Sequence, residues 1–145
     1  KAITKKNINS ILKNYDIICD GTDNFKSRYL INDYCMKKKK ILISAAISKY
    51  DGHIFKFNFK KKTPCFRCFM PQIPKNHYNC DTEGIISTLA GIMGTMQANE
   101  VIKSIINSKS DLSGKMIVFN SLSLDLRKVK LSSNTNCINE CKKIK

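Results

Sequence analysis

The sequence predicts an α/β fold, and three features of its 145 residues support that prediction. The apolar runs at 15–20 and 41–47 have the length and composition of buried parallel strands. Between them, from 25 to about 39, apolar and aromatic residues recur at helical spacing. A strand, a helix and a strand within roughly thirty residues form a βαβ unit.

The pattern changes after the second predicted strand. Residues 53–59 alternate apolar and polar side chains, which predicts a strand with one solvent-facing side after a turn at Asp51-Gly52. The segment 60–84 is predicted to be a long loop, and it holds all three prolines and three cysteines. The remaining predicted elements are the end of a helix at 7–14, an apolar helix at about 85–106 whose glycines suggest close helix packing, and strands at 115–120 and 125–131.

Length and composition favour one soluble, intracellular domain. Hydrophobic residues make up 42% of the chain, enough for a core, yet no apolar run reaches the ~20 residues of a membrane helix. Residues 1–21 lack the pattern of a secretory signal, so we expect a cytoplasmic protein. The formal charge of +15 comes mostly from lysines. Because arginine is scarce, we interpret these lysines as a solvated surface rather than a nucleic-acid site, although they would attract an acidic protein partner.

Seven cysteines without a secretory signal favour metal binding or thiol chemistry over disulfides. Cys65 and Cys68 form a C-x2-C pair, and Cys137 and Cys141 form a C-x3-C pair near the end of the chain. Two distant pairs are typical of a four-thiolate zinc site, which is structural because it has no open coordination position. The alternatives are a redox C-x-x-C, which would need its first cysteine at a helix start, or unrelated thiols.

Asp23 and Asn24 follow the first predicted strand, where open α/β sheets bind ligands. A carboxylate there could hold Mg²⁺ and a triphosphate, and the neighbouring amide could contact the nucleotide. Either residue could equally cap the next helix. Cys80 precedes the predicted helix at 85–106 and is a candidate nucleophile, or simply a small loop residue.

Five segments together resemble the ThiF/MoeB family, which includes the eukaryotic molybdopterin-synthase adenylyltransferase and the ubiquitin-activating enzymes. They occur in family order, cover nearly the whole chain and are YDIICDGTDNFKSRYLIND, ISAAISKYDGHI, PCFRCFMP, NCDTEGIISTLAGIMGTMQANEVIK and SGKMIVFNSLSLDLRKVKL. The resemblance implies the C-terminal part of a Rossmann-like fold of the ubiquitin-activating type, with a mixed sheet and a four-cysteine zinc site. It also implies a homodimer that uses ATP to adenylate the C-terminal glycine of a ubiquitin-like sulfur-carrier protein before a sulfur donor acts.

The resemblance also implies residue roles. Asp23 matches the aspartate that binds Mg-ATP, and Asn24 matches a nucleotide contact. The zinc ligands would be Cys65, Cys68, Cys137 and Cys141. Cys80 matches a loop cysteine that in some members carries the activated carrier as a thioester or persulfide, whereas other members do not need it. The carrier itself stays open between those of molybdopterin synthesis, thiazole formation and tRNA thiolation.

Two departures from the family pattern bear on function. The second cysteine pair is C-x3-C instead of the usual C-x-x-C, and residues 1–145 contain no G-x-G-x-x-G phosphate loop. The family carries that loop in an N-terminal half, which we expect to precede Lys1. The chain is then a fragment of a longer enzyme, and the alternative is a degenerate copy. Two other functions remain open: a non-catalytic, zinc-stabilised module for carrier binding or dimerisation, and a thiol redox protein.

Residues 1–145 alone are therefore expected to bind ATP poorly and not to adenylate a carrier protein, because the phosphate loop supplies many of the contacts that bind a nucleotide. Equilibrium ATP binding measures this. Micromolar affinity would contradict it.

Overall fold

The computed structural model describes residues 2–61, 63–73, 84–137 and 139. The predicted strands and helices are present, each close to its predicted position. In chain order the elements are α1 (Ile8–Leu12), β1 (Ile17–Asp20), α2 (Phe25–Lys37), β2 (Ile41–Ser48), β3 (Asp51–Asn58), α3 (Phe66–Phe69), α4 (Ser87–Ile105), β4 (Lys115–Asn120) and β5 (Leu126–Lys130). None of these described helices has both the length and the apolar character needed to cross a membrane.

The five strands form one mixed sheet in the order β1-β2-β3-β4-β5. β1 and β2 are parallel, with Asp20 opposite Ser44, and the other neighbouring pairs are antiparallel. The carboxyl ends of β1 and β2 therefore lie at the same edge of the sheet. Because β2 and β3 turn directly into one another, the start of β3 and the end of β4 reach that edge too.

Helices cover both faces of the sheet, so the core has two halves. The half under α2 and α3 contains Tyr29, Leu42, Phe55, Phe57 and Phe66, among others. The half under α4 contains Ile43, Ile54, Leu89, Met93 and Phe119, among others. This arrangement explains why β2 is an almost uninterrupted apolar run: its side chains are needed on both sides.

The prediction that β3 has one solvent-facing side is wrong. β3 lies in the middle of the sheet, and Lys56, one of the polar residues in its alternating pattern, is only 2% exposed. The Lys56 ammonium is 3.4 Å from Glu100 of α4 and 2.7 Å from Asp111. Burial raises the pKa of Asp111, but hydrogen bonds from Lys56 and Ser113 outweigh it and hold that pKa at about 2. The alternation thus marks a buried ion pair, which sequence periodicity does not distinguish from a solvated side chain.

The closest approach between α4 and the sheet is at a glycine of the sheet, not of the helix. A Cβ built at Gly52 of β3 would overlap the side chain of Met93, which is 1% exposed. Gly91 and Gly94 of α4 have no atom of the described chain within 4 Å of a built Cβ. The close packing expected at the helix glycines is therefore absent from this part of the chain.

Replacing Gly52→Ala is expected to destabilise the protein by about 1–3 kcal/mol, because the new methyl group overpacks the core against Met93. Urea unfolding measures this. Gly91→Ala is the matched control and should leave stability unchanged or raise it by up to about 1 kcal/mol, since alanine favours the helix and meets no neighbour. Equal unfolding midpoints for Gly52→Ala and the wild type would contradict the overlap.

Candidate functional site

A buried guanidinium organises the edge of the sheet where β1 and β2 end. Arg28 projects from the first turn of α2. It donates to Ser44 Oγ at 2.8 Å and to the Ala45 carbonyl at 2.8 Å, and it also donates to the Thr22 carbonyl. Its Nη1 lies 3.4 Å from Asp20 Oδ2, which accepts a 2.8 Å hydrogen bond from Ser44 Oγ. One side chain thus ties α2 to both strand ends and to the loop between them.

Asp20 shapes that loop through its second carboxylate oxygen. Asp20 Oδ1 accepts from the backbone N–H of Thr22 at 2.9 Å and from the Thr22 hydroxyl at 2.7 Å. From the opposite face of the sheet, Gln97 of α4 donates to the carbonyls of Ile43 at 2.8 Å and Asp20 at 3.1 Å. The two strand ends are therefore held from both sides. The sequence analysis did not identify Arg28 or Gln97 as residues of this site. For Arg28 the available signal was an isolated arginine on the buried face of α2.

Asp23 and Asn24 lie on the exposed outer side of this loop. Asn24 is the N-cap of α2: its Oδ1 accepts from the backbone N–H of Ser27 at 2.8 Å. Its Nδ2 lies 3.2 Å from Asp23 Oδ1. The capping interpretation is thus confirmed for Asn24, whose amide oxygen is already engaged. The Asp23 carboxylate stays exposed at the carboxyl end of β1, where a ligand of the sheet edge would meet it.

Three of the four predicted metal ligands come together. The side chains of Cys65, Cys68 and Cys137 are buried, and their sulfurs all lie within 4.8 Å of one another. Cys65 Sγ is 4.0 Å from Cys68 Sγ and 3.6 Å from Cys137 Sγ. Four sulfurs ~2.3 Å from a tetrahedral zinc ion lie about 3.8 Å apart, so these three fit three corners of such a site. Cys141 lies outside the described residues, as does Cys80.

The C-x2-C segment is not the plain loop that its prolines predict. Cys65 is the N-cap position of α3, a four-residue helix. One reason for discounting a redox pair therefore falls away, because its first cysteine does stand at a helix start. The proximity of Cys137, 72 residues away in sequence, favours a metal site over a simple two-cysteine redox centre.

Side chains of α2 hold this cysteine turn. Asn32, fully buried, accepts from the backbone N–H of Phe66 at 2.9 Å. The hydroxyl of Tyr29 donates to the Met70 carbonyl at 2.8 Å. The same helix thus carries Arg28 towards the strand ends and positions the cysteine turn through its next two turns.

The two other described cysteines lie outside the cluster of Cys65, Cys68 and Cys137. Burial raises the pKa of the Cys35 thiol to about 12, which keeps it protonated and unreactive at neutral pH. Burial and the neighbouring Asp20 raise the pKa of Cys19. Cys19 is nevertheless exposed, because β1 is the outermost strand of the described sheet.

The sequence matches the ThiF family over residues 1–139. It is 35% identical over 141 residues to a protein of Dictyostelium discoideum named adenylyltransferase and sulfurtransferase MOCS3, covering 95% of this chain and 33% of that protein. It is 37% identical over 144 residues to the probable molybdopterin-synthase adenylyltransferase of Pyropia yezoensis, covering 97% of this chain and 38% of that protein. The chain thus spans about a third of the length of these relatives.

Among solved structures, the fold is similar to that of E. coli MccB. The complex of MccB with MccA-N7isoASN superposes with a TM-score of 0.77 at 18% identity, over 95% of this chain and 44% of that one. The complex of MccB with ATP gives a TM-score of 0.76 at 18% identity, over 98% of this chain and 44% of that one. At this identity the likeness shows the fold alone.

We expect the protein to bind about one zinc ion per chain, because three buried cysteine sulfurs already lie at the spacing of a tetrahedral site. Cys68→Ser should reduce the bound metal to a small fraction of the wild-type content, measured by elemental analysis after gel filtration. Cys19→Ser is the control, since this exposed cysteine lies outside the cluster. Full zinc retention by Cys68→Ser would show that the cluster is not the metal site.

Proposed function

Because this chain belongs to the ThiF family, we propose that it is the C-terminal part of an enzyme that uses ATP to adenylate the C-terminal glycine of a ubiquitin-like sulfur-carrier protein. The observation that carries this proposal is the exposed Asp23 carboxylate at the carboxyl end of β1, on a loop fixed by Arg28 and Asp20. The names of the relatives, an adenylyltransferase with sulfurtransferase and a molybdopterin-synthase adenylyltransferase, support the same reaction.

In the proposed reaction, the carrier's terminal carboxylate attacks the α-phosphate of ATP, and acyl-adenylate and pyrophosphate result. Asp23 is the residue that would hold Mg²⁺, whose charge offsets that of the phosphates. Asn24 would contact the nucleotide through its amide nitrogen, since its oxygen already accepts the capping bond of α2. The rate would come mainly from positioning and charge complementarity, and a rigid loop serves both.

The fixed loop is also suited to this chemistry electrostatically. The guanidinium of Arg28 is held beneath the loop and is 3.4 Å from the Asp20 carboxylate. That pair engages the Asp20 carboxylate, whereas the exposed Asp23 carboxylate is available to a cation at the edge. Exposure of Asp23 matters here, since a buried carboxylate would have to lose its own partners before it could bind.

After adenylation, sulfide-level sulfur from a donor would attack the acyl carbon and displace AMP, which leaves a thiocarboxylate. Cys80 is our candidate for handling the activated carrier in that step, by analogy with the loop cysteine of some family members. The names of the relatives favour a carrier of molybdenum cofactor synthesis. A thiazole-forming carrier is the alternative. The formal charge of +15 would attract an acidic carrier at long range.

Two further features belong to the same proposal. The cysteine cluster would hold a structural zinc ion, with Cys141 as the fourth ligand.

A homodimer is supported by α4, whose Ile92, Ile102 and Ile105 are exposed. Exposed apolar side chains grouped on one helix are typical of a surface that is covered in the assembled protein.

The proposal is tested by ATP–pyrophosphate exchange with the full-length protein and each candidate carrier. Asp23→Asn should reduce exchange roughly 100-fold or more, because it removes the charge that holds the metal–phosphate complex. Asp16→Asn is the matched control: Asp16 is an exposed carboxylate at the opposite end of β1.

Cys80→Ala should retain exchange and lose thiocarboxylate formation. Wild-type exchange by Asp23→Asn would contradict the assignment, and no exchange with any carrier would contradict the function.

A further inference from the structure

We propose that Asp33 of α2 is a positioning residue of the metal site, which holds the Cys65–Cys68 turn and, through Asn139, Cys137 in the geometry that a metal requires. This role rests on the zinc site proposed above. It adds a carboxylate that belongs to neither cysteine pair and binds no metal itself. Two segments, which we call the arms of the site, hydrogen-bond to this one side chain: the Cys65–Cys68 turn through Arg67, and the Cys137 segment through Asn139.

The first arm is bound through Arg67, which lies between the two cysteines of the turn. Arg67 Nε donates to Asp33 Oδ1 at 2.8 Å, and Arg67 Nη2 donates to Asp33 Oδ2 at 2.7 Å. Two parallel charge-assisted hydrogen bonds fix the direction of the guanidinium as well as its distance. The guanidinium also lies 4.4 Å above the ring of Tyr29, so its position is determined from two directions.

The second arm is bound through Asn139, two residues after Cys137. Asn139 Nδ2 donates to Asp33 Oδ1 at 3.0 Å and lies 3.6 Å from Cys65 Sγ. A single amide group therefore connects the carboxylate on α2 to a metal-ligating sulfur.

The carboxylate is itself held in place. Asn32 Nδ2 donates to Asp33 Oδ1 at 3.1 Å, while Asn32 Oδ1 accepts from the backbone of the turn. Further along the same helix, the Arg28 network anchors α2 to the sheet. Asp33 is thus attached to a rigid element, as a group that orients metal ligands must be.

The physical need for such a group follows from the sulfurs. The cysteine sulfurs lie 3.6–4.0 Å apart, as a tetrahedral metal site requires, although the two arms are 72 residues apart in sequence. Contacts that bring the arms together without the metal reduce the ordering that metal binding must impose. The Asp33 side chain is 37% exposed, and exposed ion pairs contribute little to folding stability. Its effect should therefore appear in metal affinity rather than in stability.

The test compares metal affinity and stability in the full-length protein. Zinc affinity is measured by competition with a chromophoric chelator, and stability by urea unfolding in excess chelator. Asp33→Asn should bind zinc about 10–100-fold more weakly, with little change in the unfolding midpoint of the metal-free protein. Asp16→Asn, an exposed carboxylate paired with Lys60, is the control and should match the wild type in both measurements.

Asn139→Ala provides a second variant that removes only the contact with the Cys137 arm. It should weaken zinc binding by less than Asp33→Asn does, and adding it to Asp33→Asn should cost little more, because both changes break the same link. This variant keeps the proposal falsifiable if Asp33→Asn fails to fold.

The outcomes separate the two proposals. If the wild type binds zinc and both variants bind it equally well, the role of Asp33 is refuted and the zinc site stands. The role is also refuted if Asp33→Asn destabilises the metal-free protein and leaves zinc affinity unchanged, since that is an ordinary structural contact. If the wild type binds no zinc, the metal site itself is refuted, and the role of Asp33 with it.

Discussion

The arrangement of this domain depends on one buried ion pair, between Arg28 and Asp20. A charged guanidinium inside a core is stable only when its donors are satisfied, and here two strand ends and the intervening loop provide the acceptors. That requirement fixes the position of α2 against the sheet. Removing either partner would leave a buried charge without compensation, so the pair determines the geometry of the edge more strictly than apolar packing alone could.

Because α2 is fixed there, it connects two sites of different chemistry. Its N-terminal end carries the Asp23-Asn24 loop, and its later turns carry Asn32 and Asp33, which bind the cysteine turn. The helix has 13 residues, so it is about 20 Å long. A structural metal at one end would therefore limit the movement of the helix that presents the loop at the other end. Such a link would give the proposed structural metal a physical reason to accompany the proposed nucleotide site in one small domain.

The βαβ unit, α4 and the last two strands could be predicted because apolar residues recur within each segment in a pattern typical of a helix or a strand. The Lys56 ion pair in β3 could not, since a buried lysine with two carboxylates and a solvated lysine give the same alternating pattern. Asn24 presented the reverse difficulty: capping and ligand binding use the same residue type, and only the observed bond to Ser27 shows which role the oxygen has. Asp33 gave no signal in sequence, as it lies one residue beyond a buried asparagine in an ordinary helix.

The sequence by itself determined the order and type of the elements, the cysteine pairs and the family, because these depend on local periodicity and on residue identity along the chain. Only the tertiary structure decided which groups share a site. Cys137 meets Cys65, Arg28 meets Ser44 and Asn139 meets Asp33 across separations of 72, 16 and 106 residues. Such contacts are set by how helices and strands pack, and packing depends on the shape of all the side chains together rather than on any segment.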